Sequence, residues 1–128
     1  MNADELNELS HQVIGAALEV HRELGAGLLE SVYEQCLTHE LAALGIPVER
    51  QVDLPVCYKG IEVGVGYRID LFVARALVVE VKAAECLLPV HSAQLLTYLK
   101  LAGCRLGLLL NFNVPVMRDG IRRVANGI

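Results

Sequence analysis

The stretch Leu77-Val78-Val79-Glu80-Val81-Lys82-Ala83 restricts the fold most. Without its two charges it reads as a buried β-strand. Strand side chains alternate faces, so Glu80 and Lys82 point one way and Val79, Val81 and Ala83 the other. Two unpaired charges inside a sheet cost several kcal/mol each. Either that face is wet or the charges have partners. A second apolar strand is predicted over Arg105 to Phe112, so the sheet needs cover.

Helical periodicity supplies that cover. Asn2 and Glu5 are spaced as a capping box, and Leu6, Leu9, Val13, Ala16, Ala17, Val20 and Leu24 recur at three and four. Gly25-Ala26-Gly27 ends this helix; Gly27 is not part of a phosphate loop, because no Lys-Ser/Thr follows. A second helix is expected from about Leu28 to Leu44, stopped by Gly45-Ile46-Pro47. Alternation then takes over. Val48 to Tyr58 reads as a strand, Lys59-Gly60 as a hairpin turn, and Ile61 to Val73 as a strand bent near Gly64 and Gly66. A third helix is expected over Val90 to Ala102, stopped by Gly103. Met117 to Ile128 fits a short edge strand or a helix. The order is α-α-β-β-β-α-β: an α/β fold, with a mixed sheet of about four strands between helices.

At 128 residues the chain suits one domain, 1–128, with one real core. It is 54% hydrophobic and 20% charged, a globular composition. A net charge of −4 argues against a protein that coats nucleic acid through a general Lys and Arg excess, but not against a local basic patch or a site whose metal brings the positive charge. Cys36, Cys57, Cys86 and Cys104 form no C-x-x-C pair and are expected to be buried free thiols of a reducing compartment. MNADELNELS is acidic and helical in pattern rather than a signal peptide, and no apolar run could span a bilayer. The expectation is a cytoplasmic protein with no membrane partner.

Chemistry enters with Asp70, which interrupts the apolar run of Ile69, Leu71 and Val73. Arg68, Asp70 and Phe72 are expected to share a face. If this strand pairs with the next through Ala74-Arg75-Ala76, Asp70 can lie beside Glu80. Carboxylate oxygens bind Mg²⁺ or Mn²⁺, which lowers the pKa of a bound water and steadies charge developing on phosphate. Lys82 could hold or deprotonate that water. A structural Asp–Lys or Glu–Lys pair is the plainer alternative. Gln94 and Tyr98 share a face of the third helix; Glu30, Tyr33 and Glu34 cluster on the second. His11, His21, His39 and His91 show no ligand spacing, and only His91 is placed near the site. Arg118, Arg122 and Arg123 could touch phosphates or simply be solvated.

Together these residues resemble the PD-(D/E)XK nuclease superfamily and, within it, the GxxExxY protein family. The motifs stand as Gly27-Leu28-Leu29-Glu30-Ser31-Val32-Tyr33, then Asp70 with Glu80-Val81-Lys82, then Gln94-Leu95-Leu96-Thr97-Tyr98. Ile69, not Pro, precedes Asp70. The resemblance implies a restriction-endonuclease-like fold and a Mg²⁺- or Mn²⁺-dependent nuclease. Asp70, Glu80 and the Val81 carbonyl would be metal ligands, and Lys82 would position or activate water. Glu30 would be the helix carboxylate that completes the metal shell, with Glu34 its rival. Gln94 and Tyr98 would orient Lys82 or contact the nucleic-acid backbone. The implied partner is nucleic acid, DNA before RNA. The alternative is a non-catalytic module of the same fold that binds nucleic acid or a protein, as a homodimer or in a larger assembly.

Overall fold

A computed structural model describes every residue of the chain except Val65. Helix α1 spans Ala3–Leu24 and α2 spans Glu30–Ala43. The strands are β1 (Val48–Leu54), β2 (Cys57–Tyr58), β3 (Ile61–Glu62), β4 (Tyr67–Val73), β5 (Leu77–Lys82), β6 (Leu106–Asn111) and β7 (Ile121–Ala125). Helix α3, Pro89–Ala102, joins β5 to β6, and a 3₁₀ turn at Met117–Gly120 leads into β7.

Capping chemistry sets the helix ends. Asn2 Oδ1 accepts the Glu5 amide at 2.8 Å, and Glu5 Oε1 accepts the Asn2 amide at 3.1 Å. Gly25, with φ at 68°, closes α1, and left-handed Gly103 closes α3. Tyr33 fixes the α1–α2 connection. Fully buried, it donates its hydroxyl to the Gly25 carbonyl at 2.6 Å and accepts the Leu28 amide at 3.1 Å. Its ring stacks on Phe112, with centroids 4.5 Å apart. Helix α2 begins later than the periodicity suggests, because Leu29 is its N-cap and stays exposed.

The main sheet has five strands in the order β1-β4-β5-β6-β7; β5 and β6 run parallel and the other pairs antiparallel. The expected count of about four strands omitted β7. Its arginines gave it a polar pattern, which an edge strand tolerates. Each long predicted strand breaks in two. Pro55 lacks an N–H and ends β1, and Gly64 interrupts the return strand, so β2 and β3 form a separate two-stranded ribbon around Lys59-Gly60.

Apolar layers lie on both faces of the sheet. One packs α1 and α2 against Leu71, Val73, Val79, Val81, Leu108 and Leu110. The other packs Leu95, Tyr98 and Leu99 of α3 against Ile69, Phe72, Val78 and Leu109. Gly107 lets α3 approach, since a Cβ there would stand 2.9 Å from Leu95 Cδ1. The face assignment expected for β4 needs correction. Leu71 and Val73 face α1 and α2, but Ile69, of the same parity, packs with the α3 cluster. Its neighbour β1 turns over in step: Val48 packs on the first cluster and Val52 on the second. Register places the change at Gln51 and Asp70, and Gln51 has a left-handed φ of 53°.

The cysteine expectation is also corrected. All four are free, but only Cys104 is buried; Cys36 is half-buried and Cys57 and Cys86 are exposed. Among the described residues, no helix is long and apolar enough to cross a membrane.

Candidate active site

Strands β4 and β5 pair from Val73↔Leu77 to Leu71↔Val79 and then part. Side chains replace the next rungs. Glu80 Oε2 accepts the Asp70 amide at 2.9 Å, and Asp70 Oδ2 accepts the Val81 amide at 2.9 Å. Each carboxylate thus spends one oxygen on the opposite strand's backbone, and the two side chains are held beside one another. Glu80 is 5% exposed and Asp70 half-buried.

On the far edge of β5, the Lys82 carbonyl accepts the Phe112 amide at 2.9 Å. Neighbouring residues in a strand direct their N–H and C=O to opposite edges. Val81 therefore turns both groups toward β4, the side on which its amide meets Asp70. Its carbonyl lies beyond the last ladder pair, on the same edge as the carboxylates.

Burial is the main influence on both acids. It raises Asp70 above the ordinary aspartate value, with the Glu34 charge adding and the Val81 amide, Lys82 and Gln51 opposing. Glu80 is pushed up to about 8, first by burial and then by the Asp70 charge. Tyr98, buried at 5% exposure, is pushed up to about 12 by burial and then by the charges of Glu80 and Asp70. Its ring leans on Tyr67, with centroids 5.3 Å apart and planes tilted by 48°.

The two candidate helix carboxylates occupy different places. Glu30 is exposed at the start of α2, and its Oε2 accepts the Ala83 amide at 3.0 Å, just past the end of β5. Glu34 is 5% exposed one turn later. Its oxygens accept Gln51 Nε2 at 2.9 and 3.0 Å, and Arg50 Nε donates to it at 3.2 Å. Gln51 Nε2 also reaches Asp70 Oδ1 at 3.4 Å. Glu34, rather than Glu30, adds its charge to Asp70 and Glu80. Among the described residues, no three His, Cys, Asp or Glu side chains are grouped to hold a metal ion.

The structure therefore gathers Asp70, Glu80, Val81, Lys82 and Tyr98 at the splayed end of β4 and β5, with Glu34 close and Glu30 at the margin. Gln94 lies one turn before Tyr98, exposed, in a shallow cleft with Tyr67, Val90, Ala93 and Thr97. Tyr67 also lines a cavity of about 530 Å³ with Asp53, Leu54, Pro55 and Glu62, a lining that does not include Asp70 or Glu80. His91 caps α3, its Nδ1 accepting the Leu88 amide at 2.9 Å. Arg122 and Arg123 point to opposite faces of β7, toward Ser92 and Asn7, and do not form one patch. The sequence drew no attention to Gln51 or Tyr67. Nothing marks a glutamine for a left-handed conformation, and Tyr67 lies outside every motif.

Residues 7–124 match the PD-(D/E)XK nuclease superfamily. The match spans nearly the whole chain, whose mixed sheet flanked by helices is that of the restriction-endonuclease-like fold, and the chain belongs to this superfamily. No curated protein and no solved structure matches it significantly.

Proposed function

We propose that the chain is one nuclease domain of the GxxExxY type that hydrolyses phosphodiester bonds with Mg²⁺ or Mn²⁺, acting on DNA in preference to RNA. The observation that carries this reading is the interlock of Asp70 and Glu80 across the parting strands, with Lys82 two residues on.

The donors fit a hard divalent cation. They are all oxygens, and two neighbouring acids whose ionised forms are resisted by burial and by each other favour a positive charge between them. Asp70 and Glu80 are the two carboxylates interlocked there, a set suited to an ion that keeps several waters. When bound, such an ion lowers the pKa of water and stabilises charge growing on the phosphate.

The chain's own residues supply the rest. Lys82 Nζ donates to the attacking water or to the phosphate oxygens and orients them. Tyr98 keeps its hydroxyl proton at neutral pH, so it serves as a donor and not a base. Gln94, one turn away on the same helix, offers an amide to the nucleic-acid backbone. Glu30 holds the Ala83 amide and so fixes the end of the strand that carries Lys82.

The test is cleavage of single- and double-stranded DNA and of RNA, with Mn²⁺, Mg²⁺ or EDTA. Cleavage should need the metal, and Asp70→Ala, Glu80→Ala and Lys82→Ala should each abolish it. Activity that survives all three changes overturns the assignment. Tight metal binding without cleavage of any substrate would favour a binding module of the same fold.

A further inference from the structure

Gln51 breaks the extended backbone: its φ of 53° is left-handed, in the middle of β1. A non-glycine residue persists there only where the surroundings fix it. The strand pair turns over at this point, and Asp70 is the residue opposite, between the pairs Arg50↔Leu71 and Val52↔Ile69. The side chain is committed as well. Its Nε2 donates to both oxygens of buried Glu34 and reaches Asp70 Oδ1.

We propose that Gln51 is a positioning residue for the divalent cation: its amide stands between Glu34 and Asp70 and keeps the Asp70 carboxylate aimed at the site. This rests on the reading of Asp70 and Glu80 as metal ligands. A neutral donor suits the place. It hydrogen-bonds two like-charged acids at once, where a cation would compete with the metal and a third carboxylate would add repulsion. Asp70 has one oxygen on the Val81 amide and the other next to Gln51, so both are oriented before any ion arrives. Groups that orient ligands in this way commonly govern metal affinity by 10- to 100-fold or so when removed.

Gln51→Asn and Gln51→Gly test the role, because Asn and Gly both accept a left-handed backbone but neither side chain spans Glu34 and Asp70. Mn²⁺ binding to the full chain is measured by calorimetry well below the unfolding midpoint, together with the midpoint of the metal-free protein. The expected result is a Kd weakened by about tenfold or more. A residue that only held the fold together would lower the midpoint and leave the Kd of the folded protein unchanged. Kd values within about twofold of the parent's, whatever the midpoints, overturn the inference. If one variant fails to fold, the other decides. A parent chain that takes up no Mn²⁺ overturns the metal-site reading itself, and the positioning role with it.

Discussion

Glu80→Gln in the metal-free protein isolates the tension at the strand ends. Folded Glu80 keeps its proton up to about pH 8, against an ordinary value of 4.5. Between those values the folded protein holds a proton that the unfolded chain has released. The stability tied to that proton is complete below pH 4.5 and is lost as pH rises through 8. The gap of about 3.5 pH units corresponds to roughly 5 kcal/mol at 1.36 kcal/mol per unit, and relaxation and water entry at the parted strands reduce it. Even half of that is a large share of the ~5–15 kcal/mol that holds a domain together.

Glutamine keeps an acceptor for the Asp70 amide and cannot ionise. The variant's stability should therefore gain on the parent's between pH 6 and pH 9, by roughly 2–3 kcal/mol at most before that reduction. Taking the change in the difference cancels the pH-independent cost of altered packing. Denaturant unfolding in EDTA at fixed ionic strength reads it. Adding Mn²⁺ at pH 9 should stabilise the parent more than the variant, because only the parent offers both charged ligands. Parallel stability profiles for the two proteins from pH 6 to pH 9 would refute the reasoning.

Two further outcomes concern the scaffold. Tyr33→Phe should cost about 1–3 kcal/mol in denaturant unfolding, since it strands the Gly25 carbonyl and the Leu28 amide at the α1–α2 connection; unchanged stability would show that water replaces the hydroxyl. Gly107→Ala should cost about 1–3 kcal/mol by forcing Leu95 aside and lifting α3 from the sheet, read as a lowered denaturation midpoint with the slope unchanged.

The elements whose signals are local were legible in the sequence. The Asn2–Glu5 capping box, the stops at Gly25 and Gly103 and the Lys59-Gly60 turn all act within a few residues, and each has a distinctive residue type. The nearness of Asp70 to Glu80 followed from pairing through a short turn. The turning-over of β1 and β4 did not, because it depends on a left-handed glutamine whose cause is a set of acceptors far away in sequence. The same long-range bonds separate Glu34 from Glu30. On a helix the two are one turn apart and equivalent; Arg50 and Gln51 of β1, which bond Glu34, and the Ala83 amide, which bonds Glu30, tell them apart. Strand β7 was ambiguous because its partner, β6, covers one edge alone and leaves little hydrophobic pattern to read.

Asp70 and Glu80 serve as rungs of the sheet as well as acids at its parted end. Replacing either with an apolar residue would unzip a backbone contact before it touched any chemistry. Natural selection for folding alone would then tend to keep an acceptor oxygen at each position, though not its charge. A gene copy released from any demand to cut nucleic acid would still carry an acceptor at positions 70 and 80, so decay of function should show first at Lys82 and Gln94, whose side chains close no rung.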